Sequence, residues 1–135
     1  MRQAVAATLT CVRWLVDGLN VIGSRPDGWW RDRHGAMVRL VASLERLAAA
    51  GGDEVAVVFE QPPSPPIDSA QVEVAHAPRA GRDAADDEIV RRLEADRRPE
   101  QITVVTSDHR LAERARAAGA SVQPAAPFRK RLEAL

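Results

Sequence analysis

Three short apolar runs, each closed by an acid, constrain this chain more than any other feature. Trp14-Leu15-Val16 ends in Asp17, Val55-Ala56-Val57-Val58-Phe59 ends in Glu60, and Ile102-Thr103-Val104-Val105-Thr106 ends in Ser107-Asp108. Runs this short, bounded by turn residues, read as buried strands rather than helices. Gln71 to Ala77 alternates and reads as a more exposed strand, and Ala120 to Gln123 as a last short one. Helical spacing fills the gaps. Met37, Leu40, Val41, Leu44 and Leu47 mark a helix over 33–50, stopped by Gly51-Gly52. Ile89, Val90 and Leu93 mark another over 84–96, and Leu111, Ala112, Ala115 and Ala118 a third, ended by Gly119. The tail around Phe128 and Leu132 is either a terminal helix or frayed. Strands alternating with helices imply an α/β fold with three layers: a central, mostly parallel sheet of about five strands, with helices on both faces.

At 135 residues the chain is one domain's worth. Residues 1–11 read as a loose N-terminal extension and 12–135 as a single domain. The opening stretch resembles a signal peptide only faintly, because Thr8, Thr10 and Arg13 interrupt it and the first strand follows at once. No run approaches the roughly 18 apolar residues of a membrane span. One cysteine, Cys11, excludes an internal disulfide and fits a reducing compartment. The expectation is a cytoplasmic protein with no membrane and no disulfide partner. Lys plus Arg and Asp plus Glu number 19 each, so no overall field attracts a polyanion. A nucleic acid would have to be held by a local basic patch or by metal ions.

In a parallel sheet the three acid-closed strands end on one edge, which is where ligands bind in open α/β sheets. Asp17, Glu60 and Asp108 should meet there. The helix over 84–96 starts on the same edge with Asp83, Asp86, Asp87 and Glu88. Asp86 shares a face with Ile89, Val90 and Leu93 and should point to the sheet rim. Asp87 has Arg91 four residues on, a surface pair, and Asp83 is a candidate N-cap. Clustered anions repel unless they share protons or bind cations. Carboxylate oxygens are what hard ions such as Mg²⁺ and Mn²⁺ prefer, and such a site suits displacement at phosphorus. The plain alternatives are turn-forming aspartates at strand ends and acids that suit a helix dipole. Asn20 either orients water or a phosphate oxygen or is a turn residue. Ser107 either contacts substrate or caps the next helix. No Ser-His-Asp order, P-loop or dinucleotide fingerprint is present.

The loop after the first strand holds Trp29 and Trp30 among Arg25, Arg31 and Arg33, and a second basic loop holds Arg79 and Arg82. Either the indoles cap the core beside solvated arginines, or they form a stacking and phosphate-binding surface for single-stranded nucleic acid.

Val16-Asp17-Gly18-Leu19-Asn20-Val21-Ile22, Val57-Val58-Phe59-Glu60, Ala85-Asp86-Asp87-Glu88-Ile89 and Val104-Val105-Thr106-Ser107-Asp108 together resemble the NYN branch of the PIN-like nucleases, in particular its YacP-like subgroup. The resemblance runs over about residues 12–124. It implies a PIN-like α/β fold and a metal-dependent ribonuclease using Mg²⁺ or Mn²⁺. Its acidic positions match Asp17, Asp86 and Asp108, its strand-two acid matches Glu60 where many relatives carry aspartate, and its asparagine matches Asn20. Asp87 beside Asp86 leaves the choice of helix ligand open. The expected activity is endonucleolytic cleavage of single-stranded RNA, with the ribosome or translation machinery as a further partner. Two rivals are a non-catalytic module that binds RNA or a ribosomal surface, and a metal-dependent phosphatase of small molecules.

Overall fold

The structure is a computed structural model that describes residues 12–135. The expectations for the N-terminal extension and for Cys11 lie outside the described residues. Five strands form one sheet: β1 (Arg13–Asp17), β2 (Glu54–Phe59), β3 (Val72–His76), β4 (Ile102–Val105) and β5 (Ser121–Gln123). Their order is β3-β2-β1-β4-β5, and every pairing is parallel. The expected mostly parallel sheet is therefore wholly parallel. Helices are α1 (Gly18–Ile22), α2 (Arg33–Gly51), α3 (Ala84–Ala95), α4 (His109–Ala117) and α5 (Ala125–Glu133). No helix among the described residues is long and apolar enough to cross a membrane.

Alternation along the strands sorts the core into two layers, because successive side chains leave a strand on opposite faces. Trp14, Val16, Val57, Phe59 and Val105 pack with α1, α2 and α5 on one side. Leu15, Val58, Val104 and Ile102 pack with α3 and α4 on the other. A strand covered on both faces has no polar face to show, which is why the runs read as continuous apolar stretches. Helix α2 starts where the Asp32 carboxylate accepts the Gly35 N–H at 3.0 Å and stops at Gly52, whose φ is 70°.

Two elements go beyond the sequence reading. Residues 18–22, where the sequence offered Asn20 as a candidate turn residue, wind into the short helix α1, with Val21 and Ile22 buried. The tail is α5, a docked helix rather than a frayed end. Phe128 and Leu132 are buried, and the Phe128 ring lies 5.0 Å from Trp14. Arg129 donates to the Ile22 carbonyl at 2.7 Å, satisfying an end of α1 that would otherwise lack a partner.

Gly18 links strand to helix because nothing larger fits: a Cβ there would collide with the Phe59 ring. Gly18→Ala should therefore lower unfolding free energy by about 1–3 kcal/mol in a denaturant titration. Gly81→Ala, in open space, should stay within about 1 kcal/mol of wild type.

Candidate active site

Strands β1 and β4 are neighbours, yet the helices that follow them go to opposite faces of the sheet. The edge opens at such a switch point, and ligands bind in that crevice. Asp17 is the last residue of β1 and Thr106 the first beyond β4. Both are buried, Asp17 at 6% exposure and Thr106 at 2%. The Thr106 hydroxyl donates to Asp17 Oδ2 at 2.9 Å and accepts the Asp108 N–H at 3.1 Å. Asp108 then caps α4, its Oδ1 accepting the Leu111 N–H at 2.9 Å. One hydroxyl thus ties the ends of two strands and the start of a helix. Thr106 had no role in the sequence reading. Its signal was a hydroxyl directly after a buried run, the partner that a buried carboxylate needs.

The other acids separate sharply. Asp86, half-buried in the first turn of α3, faces the same edge. Burial first, and then the charges of Asp86, Asp108 and Glu60, push the Asp17 pKa up to about 7, against a hydrogen bond from Thr106 that lowers it. Burial first, and then Asp108 and Asp83, push Asp86 up to about 6, while Arg114 pulls it back. Asp17, Asp86, Asp108 and the exposed Glu60 therefore share one electrostatic neighbourhood.

Asp87 points elsewhere: its carboxylate pairs with Arg114 at 2.9 Å, not with Arg91 as its spacing suggested. Arg91 instead pairs with Glu88 at 2.7 Å. Glu88 is buried and also binds Arg92, which reaches Glu73 on β3. Asp83 occupies the N-cap position of α3 without a capping hydrogen bond and lies 3.6 Å from Arg110. For Asp83 and Asp87 the neighbouring helix α4 supplied the partner, whereas Glu88 pairs within its own helix three and four residues on. Ser107 does not cap α4. Its Oγ accepts the Ala125 N–H at the start of α5 at 2.8 Å, and its own N–H donates to Asn20 Oδ1 at 2.7 Å. Asn20 so braces α1 against the β4–α4 loop.

A family model for the YacP-like NYN domain matches residues 14–135. The chain belongs to the YacP-like NYN domain family. Two solved structures are similar, both of Rae1 (YacP) from Bacillus subtilis. A tryptophan-to-leucine variant superposes with a TM-score of 0.75 and 24% identity over 91% of this chain and 76% of that one. A second Rae1 structure gives 0.73 and 25% over 90% and 73%. They share this α/β fold. No curated protein matches. Membership gives this NYN domain a nuclease-type function directed at RNA.

Of the basic and aromatic residues, Trp29 is partly buried against the core, with the Arg33 guanidinium 5.3 Å from its ring. Trp30 is 51% exposed, stands edge-on to Trp29 at 6.1 Å, and has Arg31 at 6.0 Å. The two readings of this loop thus divide between its tryptophans, Trp29 capping the core and Trp30 facing solvent. Arg25 pairs with Glu133. Arg79 and Arg82 are exposed in the β3–α3 loop, on the carboxyl edge.

Among the described residues, no three acidic, histidine or cysteine side chains are close enough to ligate one ion as they stand. The donor chemistry nevertheless fits a hard divalent cation: oxygens only, from three or four carboxylates whose charges act on one another. Asp17 and Asp108 each commit one oxygen to the fold and have a second without a partner among the described residues.

An unfolded chain releases the Asp17 proton near its ordinary value of 3.8, and the folded chain near 7. Between those values the unfolded state binds fewer protons, so stability falls as pH rises from about 4 to about 7. Asp17→Asn removes that loss. In metal-free buffer the variant should be more stable than wild type by on the order of 2–4 kcal/mol at about pH 8, with the gap closing toward pH 4. Thermal unfolding across a pH series checks this.

Proposed function

We propose that this NYN domain is a metal-dependent endoribonuclease that hydrolyses single-stranded RNA in the cytoplasm. The observation that supports it is the Asp17 carboxylate at the β1/β4 switch point, whose pKa is pushed up first by burial and then by the charges of Asp86, Asp108 and Glu60. Asp17, Asp86 and Asp108 would hold Mg²⁺ or Mn²⁺, with Glu60 assisting. When held there, such an ion would supply neutralisation of the cluster, a lowered pKa for a nucleophilic water and charge stabilisation for the leaving oxygen. Asp86 is favoured over Asp87, whose carboxylate is engaged by Arg114.

The chain's own groups prepare the site. Thr106 fixes the Asp17 rotamer, and the capping bond of Asp108 fixes its own. Asn20, its carbonyl oxygen held by the Ser107 N–H, has its amide N–H groups for a phosphate oxygen or the attacking water. Ser107 serves by holding that loop. Trp30, with Arg31, suits stacking on an unpaired base, which favours a single strand over a duplex. Arg25, Arg33, Arg79 and Arg82 add positive charge around the strand, and Trp29 supports Trp30 from below.

Labelled single-stranded RNA and a generic phosphate ester, each with Mn²⁺ and with chelator, test the reading. RNA should be cut internally with Mn²⁺ only. Asp17→Asn, Asp86→Asn and Asp108→Asn should each lower cleavage by about 100-fold or more with circular dichroism unchanged. Asp87→Asn should stay within a few fold of wild type. Cleavage that survives chelator or Asp17→Asn defeats the proposal. RNA binding without cleavage would mark a binding module, and hydrolysis of the ester alone a phosphatase.

A further inference from the structure

Two arginines that the sequence reading passed over stand beside the carboxylates. Arg110 and Arg114 lie one turn apart on α4, the helix capped by Asp108. Asp83 and Asp87 lie one turn apart at the start of α3, on either side of Asp86. The rows meet in register, Arg110 to Asp83 at 3.6 Å and Arg114 to Asp87 at 2.9 Å. Arg114 is near enough to Asp86 for its charge to act there. Two cations therefore border the acidic notch on the α3/α4 side.

These ion pairs are open to water. The side chains of Arg110 and Arg114 are 76% and 35% exposed, and those of Asp83 and Asp87 are 44% and 68% exposed. Exposed pairs add little stability and exchange partners readily. They contrast with Glu88 on the same helix, whose 5% exposed side chain is locked between Arg91 and Arg92. A polyanion approaching an acid-rich edge is repelled, and a chain with 19 charges of each sign gives no long-range compensation. Binding then requires cations next to the notch, on mobile side chains that can change partner.

We infer that Arg110 and Arg114 form a phosphate-binding pair for the RNA backbone, with Asp83 and Asp87 holding the guanidinium groups until phosphates displace them. This rests on the nuclease reading of the adjoining carboxylates. One helical turn sets the two groups about 5–6 Å apart at their Cβ atoms, within reach of successive phosphates of one strand. Arginine suits the task because its planar fork grips phosphate oxygens in pairs.

Fluorescence anisotropy with a short unstructured RNA in EDTA, across a potassium chloride series, tests the inference on the full chain. Arg110→Gln with Arg114→Gln should weaken binding about tenfold or more and flatten the salt slope by about 1.4, near 0.7 per lost phosphate contact. Lysine at both positions should restore most of the slope. Arg46→Gln, on α2 across the sheet, should match wild type. If the glutamine pair unfolds, Asp83→Asn with Asp87→Asn is read instead and should tighten binding by releasing the arginines. Unchanged affinity and slope in the glutamine pair, an equal loss in Arg46→Gln, or a wild type that binds no RNA overturns the inference. The nuclease reading is judged separately: Mn²⁺-dependent cleavage by wild type, with unaltered RNA binding in the glutamine pair, leaves it standing while this inference falls.

Discussion

The hydrogen bond from the Thr106 hydroxyl to Asp17 ties the ends of two neighbouring strands together one residue beyond the last pair of their ladder. Asp17 terminates the central strand, flanked by β2 and β4, and is almost wholly shielded from water. A carboxylate in that position is costly unless something compensates it. Thr106 offers partial compensation and passes the constraint on, because the same oxygen receives the Asp108 amide. The remaining cost appears in the raised Asp17 pKa. A protein under selection for stability alone would do better with an apolar residue there. Under the proposed function, a divalent cation would supply the rest of that compensation.

Scaffold and site are continuous rather than separate. The C-terminal helix α5 packs Phe128 on Trp14 and sends Arg129 to the carbonyl end of α1, the helix that carries Asn20. Its first amide is held by Ser107, whose own amide is held by Asn20. A closed circuit of contacts therefore runs from the core through the tail to both loops of the switch point. Trp14 takes part twice, since its indole N–H also donates to Asp53 just before β2. Precision at the carboxyl edge depends on residues buried far from it.

Acid placement shows where sequence reasoning stops. Strand-end positions identify Asp17 and Asp108, and a helical wheel turns Asp86 inward, all from spacing alone. Spacing also suggested Asp87 with Arg91, which the structure replaces with Arg114, and Asp83 as N-cap, a position it holds without a capping hydrogen bond. Partners of exposed acids are chosen by whichever helix packs alongside, and α4 lies alongside α3. Glu88, two residues from Asp86, looks equally available in the sequence, yet it is the buried centre of an ion-pair network that reaches β3. Nothing local in the sequence links Arg110 and Arg114 to the acids 27 positions earlier that they pair with.

The sequence by itself determined the α/β class, the five strands in order, the boundaries of the long helices, and the family resemblance carried by Asp17, Asp86 and Asp108. These follow from local rules: period two or 3.6, glycine stops, and buried strands that read as unbroken apolar runs. Tertiary structure decided that every strand is parallel, that residues 18–22 wind into a helix, that the tail docks, and which acids are engaged by arginines and which are not. Those outcomes depend on contacts between segments remote in the chain. Only the packed sheet makes a threonine and an aspartate 89 residues apart into hydrogen-bonding neighbours.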